Sequence, residues 1–197
     1  IAHNLRLMGV PVKFLTAFGN DIYANELRTS CAELGMDISD AVYTELPTST
    51  YLYITDETGE MQLAVCDADV ADSIDETYLR SKLEVLNQAA LVIFDGNLTE
   101  GSVQFLSENV TAPLFADPVS SKKAQRLRGV LPKLHTFKPN DIEAMHLTET
   151  ETPEDAARAL VALGMKRVFV SCGGNGIIAA EGEQMIHLPC EKTEIVN

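Results

Sequence analysis

"LHTFKPNDIEA", residues 134–144, decides how this chain is read. Leu134 to Phe137 reads as a short apolar strand, and Asn140 then stands where a helix cap belongs, with Glu143 three residues further on. Two explanations of that pair stand side by side. One is capping, with Asn140 as the N-cap and Glu143 favoured by the positive end of the helix dipole. The other is a ligand site, because residues three apart at a helix start point the same way, toward whatever lies over the strand's end. A carboxylate there suits magnesium held through water, since Mg²⁺ keeps much of its hydration shell and shares ligands with substrate phosphates.

The same strand-to-helix handover recurs on both sides. "ALVIFDGN" is a strand followed by a helix from Thr99 to Asn109, and "APLFADP" is a strand followed by a short helical stretch near 121–128. Thr152-Pro153-Glu154-Asp155 starts a helix that carries Ala156, Ala157, Leu160 and Val161 inward and stops at Gly164. "RVFVSCGGNG" is a further strand with a glycine-rich exit, and "GIIAAEGEQMIHLP" reads as a hairpin. Strands alternating with helices in this way imply a parallel sheet covered on both faces.

Toward the N-terminus, "IAHNLRLM" places Ala2, Leu5 and Met8 on one helical face, and "VKFLTAFG" reads as a buried strand. Asp21 caps a helix in which Tyr23, Leu27, Cys31 and Leu34 recur at helical spacing before Gly35. Over residues 41–67 the period becomes strand-like: "AVYTEL", "TSTYLYITD", then "MQLAVCD". Thr48, Thr50, Leu52 and Ile54 alternate with Ser49, Tyr51, Tyr53 and Thr55, which describes a small separate sheet with two distinct faces and Gly59 at its turn. Ser73 and Glu76 then form a capping-box pattern opening a helix to about Gln88.

Composition bounds the answer. With 197 residues, 46% hydrophobic and 22% charged, the chain reads as a globular α/β domain. A net charge of −14 argues against a nucleic-acid polymer as partner, because that affinity draws on clustered Lys and Arg. No apolar run approaches the roughly 18 residues of a membrane span. Cys31, Cys66, Cys172 and Cys190 lie far apart, which suits reduced thiols in a cytoplasm. The chain opens at Ile1 without Met and closes on the strand-like "EKTEIVN", as a piece of a longer protein would.

Four successive strands thus end in polar or glycine-rich groups: Asp95-Gly96-Asn97, Asp117-Pro118, Asn140 with Glu143, and Ser171 with Gly173, Gly174 and Gly176. In a parallel sheet these ends share one edge, beyond which ligands bind. The glycines allow backbone N–H groups to approach a phosphate, or they simply feed the hairpin; the spacing is neither a Walker A loop nor a dinucleotide fingerprint. Asp95 and Asp117 fit a base or hydroxyl-binding role equally with turn formation, and Tyr51 and Tyr53 are placed to pack on a ligand, although aromatic residues on a strand face are more often simply packed in the sheet.

Together these motifs resemble the ribokinase-like (PfkB-type) family of sugar and nucleoside kinases along essentially the whole chain. The opening "IAHNLRLMGVPVKFLTAFGNDIYANEL" is similar to the family's N-terminal stretch, "TSTYLYITDETGEMQLAV" to its lid, "KPNDIEA" to its N-x-x-E motif and "VFVSCGGNGI" to its nucleotide turn. The resemblance implies a doubly wound, mostly parallel sheet with helices on both faces, its core at 1–40 and 68–197 and a β lid at 41–67. It implies ATP as co-substrate, Mg²⁺ with K⁺ as a candidate second ion, and transfer of a phosphoryl group to a hydroxymethyl oxygen. "FADPVSSKKA" and "TFKPNDIEA" are most similar to members that act on pseudouridine; ribose, fructose and fructose-phosphate remain alternatives, as does a non-catalytic sensor on the same fold.

By position, Asn140 and Glu143 would serve the phosphate and magnesium region, Glu143 through metal-bound water. Ser171, Gly173, Gly174 and Gly176 would line the nucleotide, and Asn97, Thr50 and Tyr51 would meet the sugar or nucleoside. A homodimer through the lid follows from the same likeness. The family's glycine-rich opening motif and its G-A-G-D motif, which carries the catalytic base, do not occur in this sequence. The resemblance puts that base after Asn197, so no catalytic residue is assigned here and this stretch alone is expected to be inactive.

Overall fold

The computed structural model, which describes residues 1–57 and 61–191, begins with α1 (Ala2–Leu7). Ala2 packs against a small core of Phe18, Ala24, Cys31 and Met36. Met8, expected on that face, lies beyond the helix end and is exposed. The run expected as one buried strand pairs only in pieces. Lys13 bridges Asp37, with its ammonium held between Asp37 and Asp40 at 3.0 and 2.7 Å, and regular pairing is confined to β1 (Ala17–Phe18) against β2 (Val42–Tyr43). β2 therefore belongs to a parallel pair with β1 and not to the hairpin that follows it.

Asp21 caps α2 (Ile22–Glu33) by accepting Ala24 N–H at 2.9 Å. The same carboxylate accepts Thr48 N–H at 2.7 Å and the Thr48 hydroxyl at 2.6 Å, and these bonds, the hydroxyl first, hold its pKa below the usual carboxylate range. The inward residues of α2 are Ala24 and Cys31, whereas Tyr23 and Leu27 are exposed. Residue 23 precedes residue 24 by one helical step of about 100°, so burying Ala24 turns Tyr23 aside.

β3 (Thr50–Thr55) and β4 (Met61–Asp67) pair antiparallel. Leu52 faces Val65 and Ile54 faces Leu63, while Tyr51 faces Cys66 and Tyr53 faces Ala64. Because partners across an antiparallel ladder share a side, one face is aliphatic and the other aromatic, as the alternation implies. All of β3 is exposed. Gly59, the expected turn residue, lies outside the described residues. Contacts separate the unit Ile1–Ile74 from a second, Asp75–Asn197.

The expected Ser73–Glu76 capping box does not form. Asp75 caps α3 (Glu76–Ser81) by accepting Tyr78 N–H at 2.8 Å, and Ser73 lies in the preceding 3₁₀ turn. The helix breaks at Lys82 before α4 (Leu83–Gln88). Then follow β5 (Val92–Asp95), α5 (Glu100–Asn109), β6 (Leu114–Asp117), α6 (Ser121–Ala124), β7 (Thr136–Phe137), α7 (Asp141–Thr148), α8 (Pro153–Ala162), β8 (Arg167–Ser171), β9 (Ile177–Glu181) and β10 (Gln184–Leu188).

These six strands form one sheet in chain order, β5 to β10, with β5 through β8 parallel and β9 and β10 added antiparallel. Register decides which side chains meet. Phe94, Ala116, Phe137, Val168 and Ala180 stand opposite one another across five strands, and all are buried. Of the four residues of α8 expected inward, Ala156, Ala157 and Leu160 are fully buried and Val161 is half-buried. The alternate residues Ile93, Phe115, Phe169 and Ala179 are half-buried.

Candidate functional site

The parallel run of β5 to β8 delivers Asp95, Asp117, Asn140 and Ser171 to one sheet edge. Asp95 and Asp117 are register partners at the ends of adjacent strands. Lys138 N–H donates to Ala116 at 3.0 Å, Ser171 N–H donates to Pro139 at 3.0 Å, and Asn140 bridges Ser171. The backbone ladder thus continues beyond the strands proper and fixes the spacing of these tips.

The capping alternative for Asn140 and Glu143 is realised in full. Asn140 Oδ1 accepts Glu143 N–H at 2.7 Å, and Glu143 Oε2 accepts Asn140 N–H at 2.9 Å. Ile142 N–H is taken by Asp141, so the N–H groups of Asn140, Ile142 and Glu143 are already satisfied. This does not remove Glu143 from ligand chemistry. Its Oε1 has no hydrogen-bond partner among the described residues, and the residue is only 4% exposed. Burial pushes its pKa up and the Asp117 charge adds to this, against the Asn140 N–H and the Lys138 ammonium. A cation nearby would favour its ionised form. Among the described residues no cluster of three His, Cys, Asp or Glu could hold a metal unaided.

The four glycine-turn residues separate into two kinds. A Cβ at Gly173 or Gly174 would meet nothing within 4 Å, which leaves their backbone open to a ligand. Gly176 has φ +92, and a Cβ there would run into the backbone of Leu188, Pro189 and Cys190, so the fold itself requires glycine. Ser171 donates its hydroxyl to Pro139 O at 3.3 Å. Burial raises the Cys172 thiol pKa, with Asp141 and Glu154 adding to the effect.

At the other end of the edge, Asp95 Oδ1 accepts Asn97 N–H at 2.9 Å, and Asn97 Oδ1 accepts a hydrogen bond from the Lys123 ammonium. Asp117 accepts Val119 N–H at 3.1 Å and pairs with Lys138 at 3.4 Å. Both strand-end aspartates are thus engaged in turns, the alternative to a role as base. No residue of this sequence is assigned as the catalytic base, and residues 192–197 are among those not described. Ser120 N–H closes on Pro118 O at 2.8 Å around Val119, whose φ is +69. A β-branched residue in that region is strained, and such strain concentrates at functional loops. Thr50 and Tyr51 lie in the N-terminal unit. Consecutive on β3, they project to opposite faces, so a ligand on one face meets only one of them.

Sequence reasoning gave no role to Lys123, Arg126, Lys138 or Val119. Lys138 stands two residues before Asn140, and its position at the end of a strand was the available signal. Lys123 and Arg126 carried none, because their partners are 26 to 30 residues away.

The pfkB family carbohydrate kinase model matches residues 1–197. The chain belongs to the PfkB family. It is 32% identical over 206 residues to the pseudouridine kinase of Escherichia coli, an alignment covering 100% of this chain and 66% of that protein. The same fold is found in solved structures. Thermotoga maritima ribokinase superposes with a TM-score of 0.86 at 19% identity, over 100% of this chain and 65% of that one. An Escherichia coli protein described as ribokinase II, in complex with ATP and Mg²⁺, gives 0.83 at 18% identity, over 99% and 67%. The fold is ribokinase-like α/β, and the chain spans just under two thirds of the length of the pseudouridine kinase.

Proposed function

We propose that the protein containing this chain is an ATP-dependent kinase that phosphorylates the hydroxymethyl group of a sugar or nucleoside, with pseudouridine converted to its 5′-phosphate as the preferred reaction. The observation that carries this reading is the single edge where Asp95, Asp117, Asn140 and Ser171 converge, in a chain of this family whose similarity to a pseudouridine kinase extends from end to end. Phosphoryl transfer asks a protein chiefly for positioning and charge stabilisation, which a polar rim with open backbone supplies.

In this reading Gly173, Gly174 and Ser171 line the nucleotide, with Gly176 shaping their turn. Asn140 and Glu143 serve the phosphates and Mg²⁺, the latter through water held by Glu143. The donor set suits that arrangement, because one buried carboxylate with a spare oxygen can orient metal-bound water but cannot replace a hydration shell. Asn97 meets the sugar or nucleoside, and the 41–67 segment acts as the lid. Of the two lid residues, Tyr51 on the aromatic face is the better stacking partner, with Tyr53 6.0 Å away by ring centroids. The aliphatic face of Leu52, Ile54, Leu63 and Val65 suits pairing with a second copy, which sedimentation would detect. Four free cysteines support a cytoplasmic setting, and no described helix is long and apolar enough to cross a membrane.

The test is a substrate panel on the full-length protein with ATP, Mg²⁺ and K⁺. Pseudouridine, uridine, ribose, fructose and fructose 6-phosphate are supplied in turn. Phosphorylated product with pseudouridine at the highest kcat/KM is the expected result, and no product from any of them rejects the reading.

Gly174→Val tests the nucleotide end without disturbing the fold, since neither space nor a positive φ excludes a side chain there. ATP affinity by calorimetry should fall at least about tenfold, the loss of roughly 1.4 kcal/mol, with the melting temperature unchanged. Normal ATP affinity would place the nucleotide elsewhere.

A further inference from the structure

We infer that Lys123 is a positioning residue that locks Asn97 as a hydrogen-bond donor, so that this end of the site selects a sugar or nucleoside presenting an oxygen lone pair, of a hydroxyl or a carbonyl, opposite Asn97. The inference rests on the reading that Asn97 meets the substrate.

A side-chain amide can face a ligand with its oxygen or with its NH₂, and the two choices recognise opposite groups. At Asn97 the neighbouring charge removes the ambiguity. A lysine ammonium carries three donors and no acceptor, so the atom turned toward Lys123 must be Oδ1. Nδ2 is then directed away, and it has no partner among the described residues. No carboxylate pairs with Lys123 among the described residues either, so its bond to the amide is not shared with an ion pair. Turning the amide over would set donor against donor.

The support extends past one contact. Arg126, three residues beyond Lys123, donates to the carbonyls of Gly96, Asn97 and Leu98 at 3.4, 3.4 and 3.2 Å. The segment after β6 therefore grips the loop after β5 by its backbone through Arg126 and sets its side chain through Lys123. Asn140 is fixed in the same sense at the other end of the edge, where Glu143 N–H holds its Oδ1. The two amides thus both offer Nδ2 along a rim that also carries the carboxylates of Asp95, Asp117 and Glu143.

The experiment compares Lys123→Met, Lys123→Arg, Asn97→Ala and the Lys123→Met/Asn97→Ala pair in the full-length protein, with pseudouridine and ATP. Lys123→Met should raise the KM for pseudouridine about tenfold, the worth of one well-placed hydrogen bond, with kcat and the KM for ATP changed less than about twofold. Lys123→Arg should restore KM to within about threefold, and Lys123→Met should add nothing on top of Asn97→Ala. In ¹⁵N spectra of the unliganded protein, the side-chain amide signals that vanish in Asn97→Ala should move in Lys123→Met, a readout that needs no turnover. If Asn97→Ala leaves the pseudouridine KM unchanged, the assignment of Asn97 to the substrate falls and the inference with it. If Asn97→Ala raises KM but Lys123→Met does not, the assignment stands and the inference is overturned. It is overturned equally if the Asn97 amide signals stay in place, or if Lys123→Met lowers kcat and melting temperature together and Arg does not rescue them.

Discussion

Glu143→Gln should lower turnover of the full-length protein about 10²-fold, the usual cost of removing one preorganised electrostatic group from a charge-stabilising site. It should also raise the Mg²⁺ concentration needed for half-maximal rate. The fold should persist, because glutamine can still accept Asn140 N–H and complete the capping box. Stability adds a second signature. Burial and the Asp117 charge raise the folded-state pKa of Glu143. A carboxyl so raised contributes stability that is fully present below its unfolded pKa, near 4.3, and is lost as pH climbs through the folded value. The variant lacks that loss. Its melting temperature relative to the parent should therefore rise from acid to neutral pH, in the same protein whose activity has fallen. Unchanged turnover across an Mg²⁺ titration would remove Glu143 from the chemistry and leave it a cap.

Gly96→Ala should destabilise the unit beginning at Asp75 by about 3 kcal/mol, the upper range for forcing atoms into a packed site. For a chain of this size that lowers the melting temperature by roughly 6–12 °C. A Cβ at residue 96 would collide with the carbonyl oxygen of Pro118, lie 3.0 Å from its carbon and press on Lys123 Cβ at 3.1 Å. The two loops cannot simply part, because Gly96 N–H is bonded to Asp117 O at 2.9 Å and Pro118 is buried. Relief would move the Asp117–Ser120 turn and Lys123 together, so affinity for the sugar or nucleoside should fall with stability. A scanning calorimetry trace superimposable on the parent's would refute the close approach of these loops.

The parts of this protein that could be read in advance are those whose causes are local. Asn140 announces a cap because amide and carboxylate are three residues apart, and the capping box is there. The runs "ALVIFDGN", "APLFADP" and "RVFVSCGGNG" announce strands by short apolar stretches with polar or glycine-rich ends, and β5, β6 and β8 lie there. Misreadings arose where a competing partner overruled a local preference. Ser73 made a plausible cap until Asp75, closer to the helix, took the role. Tyr23, Leu27, Cys31 and Leu34 had helical spacing; Cys31 and Leu34 do reach the core, but Ala24 takes the inward place beside them and leaves Tyr23 and Leu27 exposed. β2 looked like part of the hairpin because it adjoins it in sequence, and it pairs with β1.

The amino-acid order by itself thus determined the alternation of strand and helix and the polar ending of each parallel strand, since each depends on periodicity or on residues within one turn of each other; the family came through the motifs the chain resembles. Only the tertiary structure decided that Lys123 turns the Asn97 amide, that Gly96 must lack a side chain beneath Pro118, and that Glu143 is buried beside Asp117. Those facts depend on contacts between segments 20 to 30 residues apart, whose distances are set by sheet register and not by any pattern within either segment.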